Sequence, residues 1–211
     1  MFKSRIQTTL FASQIMDIRS LLPWVRIRRQ KQALRGIMDQ RRRVYSKEEV
    51  ERDSERIIAK IERLPWFEQA STVLLYYPVH HEVDLRALLT KYLGKKTLLL
   101  PIAHRHRMEV RPYEGEELMK RGRFGIPEPQ TLPYSGPIDL IIVPGVAFDR
   151  HCNRMGRGKG FYDRLLSSGN LYTIGVCHDC QLLDEIPCEP HDHPLDCIIT
   201  PTHIFINKPQ A

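Results

Sequence analysis

The sequence predicts an α/β fold: a single domain whose open, mostly parallel sheet is flanked by helices and preceded by an N-terminal helical pair. Three observations carry this. Short apolar runs at 72–77 and 138–144, bounded by proline and too short for helices, have the pattern of strands buried on both faces. Segments with helical spacing lie between such runs, as crossovers between parallel strands require. Ser46 followed three residues later by Glu49 writes a capping box, in which side chains satisfy the free N–H groups of a helix start, ahead of the first strand.

Taken in order, residues 1–22 are expected to be an N-terminal extension and 23–211 the α/β domain. The first 20 or so residues are rich in Arg, Ser and Thr and poor in acids. That fits a transit peptide, a disordered extension, or an over-long start with Met16 as initiator. From 24 to about 45, the apolar Val25, Ile27, Leu34, Ile37, Met38 and Val44 recur partly at helical spacing among cations, which reads as a basic amphipathic helix. A second helix over 47–64 stops before Pro65. A strand at 72–77, a helix at 83–93 ending on a glycine, and a strand at 96–100 form a unit with a right-handed crossover and a parallel pair. A strand at 108–113, a short helix at 114–120 and a Gly/Pro-rich loop at 121–137 follow. The run at 138–144 is the central strand; a helix at 161–167 and strands at 172–177 and 197–200 complete the chain. No internal repeat or low-complexity block interrupts it.

Hydrophobic residues make up 42% and charged residues 27%, ordinary for a folded soluble protein. No apolar run approaches the roughly 20 residues that span a bilayer, so no membrane partner is expected. The net charge of +7 fits nucleic acid, an acidic surface or an anionic small molecule. Its excess lies largely in residues 19–43, where nine Lys and Arg face one acid, Asp39. The five cysteines are odd in number and cannot all pair within the chain, which predicts a reducing cytoplasm.

The most unusual stretch runs from Cys152 through Asp163, where Gly156, Gly158 and Gly160 alternate with Arg157 and Lys159. Glycines let the backbone take positive φ and bring its N–H groups close to a ligand, and cations beside them suit an anion. The spacing is neither that of a Walker loop nor that of a dinucleotide-binding turn, so the pattern alone leaves a phosphate cradle and a solvated turn both open. In an open α/β sheet, a ligand site lies beyond the carboxyl ends of the strands, where this loop falls. Asp163 fits either a helix start or magnesium, with Asp192 or Asp196 as a second carboxylate. Cys177-His178-Asp179-Cys180, with Cys188 and His191 or His193 downstream, offers ligand types for zinc, but Cys177 ends a buried strand and no clean paired spacing completes the set. His80, His81 and Glu82 follow a strand, in a position that suits a functional turn as well as a solvated one. Phe124, at the head of Phe-Gly-Ile-Pro-Glu-Pro, offers an aromatic face to a flat ligand, or the segment is a rigid loop packed on the core.

Several of these segments together resemble one family, the 5-formyltetrahydrofolate cyclo-ligases, also called 5,10-methenyltetrahydrofolate synthetases. The run from Val143 to Asp149, followed by Asn153 to Asp163, is similar to the family signature. Lys31-Gln32-Ala33-Leu34-Arg35 resembles its N-terminal nucleotide contact. Glu82, the Gly-Ile-Pro-Glu-Pro segment and the run from His191 to Asp196 occur in the family's order. The match spans roughly 28–200. Three positions depart from it: Cys152 stands where Gly is frequent, Met155 where Leu is usual, and Phe161 where a Tyr, and so a hydroxyl, is common.

The resemblance implies ATP-driven closure of 5-formyltetrahydrofolate to 5,10-methenyltetrahydrofolate, with release of ADP and phosphate. The formyl oxygen, a poor leaving group, is phosphorylated and then displaced by the folate's N-10 nitrogen. Phosphoryl transfer needs charge neutralisation and alignment more than covalent help. The resemblance assigns ATP contacts to Lys31, Arg35, Arg154, Met155, Gly156, Arg157, Gly158, Lys159, Gly160, Phe161 and Tyr162. Arg157 and Lys159 are the catalytic cations. Arg157 through Phe161 also border the formyl group, Glu82 and Phe124 meet the pterin, and Asp163 and Asp192 hold Mg2+. The implied partners are a reduced folate and ATP, without nucleic acid or membrane, for a monomer. Two other classes stay open: a basic nucleic-acid-binding protein, motivated by residues 19–43, and a same-fold relative acting on another formylated or carboxylated substrate.

Overall fold

The structure, a computed structural model, describes residues 22–207 apart from 80, 105–106, 123, 167–170 and 191. The extension expected over 1–22 therefore lies, but for Leu22, outside the described residues, as do His80 and His191. Helices α1 (Pro23–Arg43) and α2 (Lys47–Ile61) form the opening pair. Ser46 Oγ accepts from the Glu49 amide at 3.1 Å while Glu49 Oε2 accepts from the Ser46 amide at 2.8 Å, so the capping box is made in both directions. Helix α2 ends three residues earlier than the spacing predicts. Pro65 then opens a five-residue helix, α3 (Pro65–Gln69), since proline is tolerated in a first turn but not in a helix interior. Helix α3 buries Trp66 and Phe67 in the core.

The main sheet contains β1 (Thr72–Leu74), β2 (Thr97–Ala103), β3 (Met108–Pro112), β6 (Leu140–Val143), β9 (Tyr172–Val176), β11 (Cys197–Ile199) and β12 (Ile204–Ile206). Its order is β12-β11-β9-β6-β1-β2-β3. The five inner strands run parallel, with Val73 beside Leu98 on one side and Leu140 on the other, and the edge strands β3 and β12 are antiparallel. Helix α4 (Arg86–Tyr92) connects β1 to β2.

Both faces of this sheet are buried, which explains why the strands read as continuous apolar runs. Val73, Leu98, Leu100, Leu140, Ile142 and Ile199 pack on one side with Ile57, Ile61 and Phe67. The alternate residues Leu74, Leu99, Ile141, Val143 and Ile198 pack on the other with Phe148 and Leu195. The period of two is the strand's own.

Beyond β6 the chain forms a smaller sheet of β7 (Ala147–Asp149), β8 (Arg154–Met155) and β10 (Leu182–Leu183). The turn between β7 and β8 is set by Asp149, which is fully buried. Its Oδ1 accepts from the amides of His151 (2.9 Å) and Asn153 (3.0 Å). Its Oδ2 accepts from Asn153 Nδ2 (3.0 Å) and from the Ile186 amide (3.1 Å). Cys152, inside this turn, has φ 62°, a left-handed conformation that glycine adopts without strain. The departure from Gly at this position thus falls where the backbone favours Gly. The cysteine side chain instead joins the core beside Phe148.

The expected helix over 114–120 is only a 3-10 turn at Glu116–Leu118, which leads into β4 (Met119–Arg121). Strand β4 pairs with β5 (Pro127–Pro129) inside the segment expected to be a loop. Proline cannot donate to a ladder but is accepted in a two-stranded edge ribbon, so composition there conceals a hairpin. Among the described residues, no helix is long and apolar enough to cross a membrane.

Replacing Asp149 by Ala leaves buried N–H donors unmet. We expect a loss of at least about 3 kcal/mol, read from urea denaturation, since each of the four hydrogen bonds to this charged group is worth about 1.5–3 kcal/mol and water can replace only some of them. A loss below about 1 kcal/mol would mean that the turn is held by its backbone alone.

Candidate active site

The inward stripe of α1 is only partly apolar. Lys31, Arg35, Met38 and Arg42 follow one another at spacings of four, three and four and so share one helix face. Met38 is fully buried beside Val146, Ala147 and Met155 and anchors the helix. Ile37 and Val44, two of the apolar positions that predict this helix, are instead exposed.

The N-terminal half of α1, with Arg28, Lys31, Gln32 and Arg35, lines a cleft of about 820 Å³, within the usual range for small-molecule sites. The chain leaving β1 contributes Tyr76, Tyr77, Val79 and Glu82, and the chain leaving β6 contributes Pro144, Gly145 and Val146. The cleft thus lies at the carboxyl ends of parallel strands. Every site residue expected from the sequence lines it: Lys31, Arg35, Glu82, Phe124, Arg154, Met155, Gly156, Arg157, Gly158, Lys159, Gly160, Phe161, Tyr162, Asp163 and Asp192.

The glycine loop connects β8 to α5 (Phe161–Leu166). Gly158 and Gly160 have φ of 89° and 63°, in the region that disfavours a side chain. A Cβ on Gly156 would stand 2.6 Å from Arg154 Nη1, and one on Gly158 would stand 3.2 Å from Arg35 Nη2. The glycines therefore make room for guanidinium groups as well as for the turn. Arg35 Nε donates to the Gly156 carbonyl at 3.0 Å, tying α1 to the loop.

Charges in the cleft are arranged in opposed pairs. Lys31 Nζ meets Asp192 Oδ2 at 2.5 Å and Glu189 Oε2 at 2.9 Å. Burial pulls the Lys31 ammonium down, but these carboxylates outweigh it and leave its pKa above the ordinary value. Arg154 Nη2 meets Asp163 Oδ1 at 2.5 Å, and its guanidinium lies over the Tyr162 ring at 5.5 Å. Arg157 Nη2 is 3.5 Å from Glu82 Oε1, and Lys159 Nζ lies 4.4 Å from the centre of the Phe124 ring. Burial raises the Glu82 carboxyl, and the Val79 amide with Arg157 and Arg42 pull it back in part.

These groups fit a polyphosphate: four cations, Lys31, Arg35, Arg157 and Lys159, border a loop whose glycines clear space beside it. They also fit a hard divalent cation. Asp163 and Asp192 each have one carboxylate oxygen engaged, by Arg154 and by Lys31 with the Glu189 amide. Among the described residues, no cluster of three or more metal-ligating side chains forms a closed cage. Two carboxylates suit Mg2+, which completes its shell from water and phosphate oxygens. Asp196 lies elsewhere, buried and accepting from the Thr173 amide at 3.0 Å and from Thr173 Oγ1 at 2.8 Å.

Glu189 carries no motif in the sequence. It lines the cleft, pairs with Lys31, and approaches Arg28 at 3.7 Å. The nearest signal in the chain is Asp192 three residues later, whose side chain closes the turn onto the Glu189 amide at 2.7 Å. The residues weighed for zinc take other roles. His178 Nδ1 meets Asp53 Oδ2 at 3.0 Å, Cys177 is buried in the core, and among the described residues no group of three or more His, Cys, Asp or Glu side chains is placed to hold a metal ion.

Compared with known proteins, residues 27–201 match the profile of the 5-formyltetrahydrofolate cyclo-ligase family. The chain is 30% identical to the 5-formyltetrahydrofolate cyclo-ligase of Escherichia coli over 178 residues, covering 79% of this chain and 97% of that protein. It is 39% identical to the Mycolicibacterium smegmatis protein of the same name over 144 residues, covering 62% of this chain and 73% of that one. The NMR structure of Aquifex aeolicus 5,10-methenyltetrahydrofolate synthetase superimposes with a TM-score of 0.77 at 33% identity, covering 86% of this chain and 94% of that one.

A carboxyl raised by burial binds its proton more tightly in the folded than in the unfolded chain. Stability therefore falls as pH rises from the unfolded pKa through the folded one. Glu82→Gln removes this penalty. Its melting temperature should equal or exceed the wild-type value near about pH 7, with the gain vanishing below about pH 4, where Glu82 is protonated in both states. A variant that is less stable at neutral pH would show instead that the two arginines overcompensate for burial.

Proposed function

The chain belongs to the 5-formyltetrahydrofolate cyclo-ligase family, and on that premise we propose that it closes 5-formyltetrahydrofolate to 5,10-methenyltetrahydrofolate, consuming ATP with Mg2+ and releasing ADP and phosphate. The observation that carries this reading is the convergence of Lys31, Arg35, the glycine loop, Glu82, Phe124 and two carboxylates on one cleft. ATP would supply the phosphoryl group that lets the formyl oxygen depart as phosphate when N-10 closes the ring.

The chain's own residues would then bind, align and neutralise. Lys31, Arg35 and Arg154 would hold the phosphates, and Asp163 and Asp192 the Mg2+. Arg157 and Lys159, on a loop that borders both subsites, would balance the negative charge that builds on the oxygens during transfer. Glu82 would accept hydrogen bonds from the amino-pyrimidine edge of the pterin, with Phe124 beside its ring. Phe161 has no hydroxyl and offers an apolar edge; Arg164 lies over its ring at 5.2 Å.

One chain supplies all of these groups, which supports a monomer as the acting unit. The cysteines as free thiols support a reducing cytoplasm. A nucleic-acid role is disfavoured because Lys31 and Arg42, two of the cations that motivated it, are buried and paired with acids.

Purified protein mixed with 5-formyltetrahydrofolate and Mg·ATP should develop the methenyl chromophore. Product that is absent, or that forms without ATP, would overturn the reading. Arg157→Ala and Asp163→Asn should each lower turnover about a hundredfold or more. Their stability should change by only about 1 kcal/mol, because Arg157 is half-exposed, Asp163 is 32% exposed, and the Asn side chain keeps an oxygen that can accept from Arg154. Equal loss of folding and turnover would assign them a structural role instead.

A further inference from the structure

Arg42 is the cation of the α1 stripe that does not line the cleft. Only 6% of its side chain is exposed. Nη2 meets Asp39 Oδ1 at 2.7 Å, while Nε and Nη1 are buried without a hydrogen-bond partner among the described residues. Nη1 stands 4.0 Å from Glu82 Oε1. A buried guanidinium with unmet donors is costly unless a counter-charge offsets it, and Glu82 is the second such charge after Asp39.

Seen from Glu82, the two arginines differ. Arg157 is half-exposed on the glycine loop, and in the reading above its charge serves the transferred phosphoryl group. Arg42 is anchored in α1 one step beyond the fully buried Met38 and cannot leave. When Arg157 turns to its ligand, Arg42 is the counter-charge that remains. Other groups facing Glu82 are the phenols of Tyr76 and Tyr162, both held above the usual range by burial and then by the Glu82 charge. The Arg42 charge also bears on His178, which burial keeps below its ordinary pKa despite Asp53.

We propose that Arg42 is a positioning residue for the substrate: from behind the cleft it holds the Glu82 carboxylate ionised and oriented, as the acceptor for a pterin's amino-pyrimidine edge, independently of Arg157. This rests on the cyclo-ligase reading. A protonated Glu82 would present a donor where the pterin edge also donates, so the counter-charge decides affinity.

The test is calorimetric titration of the full chain with 5-formyltetrahydrofolate across pH, without ATP. Arg42→Met should weaken binding about tenfold near about pH 7 and move the acid-side loss of binding up by about one pH unit, because Glu82 then holds its proton to higher pH. Arg42→Lys should recover most of the affinity. In a Glu82→Gln background, Arg42→Met should change affinity less than about twofold, since the group it acts through is gone. In turnover assays, KM should rise while kcat stays within about threefold. Additive losses in the double variant, or an unmoved acid limb, would overturn the proposal. If Arg42→Met does not fold, Arg42→Gln, which also removes the charge but keeps a polar head group, takes its place in the same cycle with Glu82→Gln. Wild-type protein that binds no folate would sink the cyclo-ligase reading itself, which is a separate and distinguishable result.

Discussion

The buried carboxylate of Asp149 is the constraint on which the site depends most. Four N–H groups, from His151, Asn153 and Ile186, converge on its two oxygens. They fold the chain back immediately after β7, hold Cys152 in a left-handed conformation, and dock the segment leading to Glu189 and Asp192. One side chain thus links both sequence-distant halves of the cleft, the glycine loop and the acidic turn. Two other aspartates act similarly at strand starts: Asp139 accepts from the Ser71 and Thr72 amides, and Asp196 from Thr173. A low-dielectric interior makes such bonds strong when every partner is present and costly when one is missing.

Within the cleft, opposite charges meet in pairs: Lys31 with Asp192 and Glu189, Arg154 with Asp163, Arg157 with Glu82. Each pair joins a cation suited to phosphate with a carboxylate suited to a metal or a pterin. An anionic ligand and a divalent cation arriving together would substitute for the partners they separate, so little charge need be left uncompensated at any stage. That is an economical way to keep a highly charged site folded. The alternative, a cluster of like charges, would repel itself whenever the ligands were away.

The inner strands were legible because both faces of a parallel sheet are dry, so β6 and β11 are apolar throughout and β1 and β2 after a leading threonine; the edge strand β12, half in solvent and beyond the expected last strand at 197–200, was missed. The capping box at Ser46 was equally plain. The strands β7, β8 and β10 were not, because each is two or three residues long and depends on partners far away in sequence. The β4–β5 hairpin was concealed by its prolines. In the site, the glycine loop and Lys31 were visible as motifs, but Glu189 was not: a single glutamate before a proline has no pattern, and only the fold brings it to Lys31.

The sequence by itself determined the α/β class, the helical pair, the loop of glycines and cations, and the family whose ordered motifs it carries. These are local properties: periodicity, capping chemistry and residue order are all written within short windows. Tertiary structure decided which way the cations of α1 face. The same helix carries exposed Arg26 and Arg43, buried Arg42, and Lys31 with Arg35 on the cleft, and composition treats all five alike. Their difference comes from Met38 packing under Val146 and Met155, which rotates one stripe of the helix toward the carboxylates and leaves the rest in water.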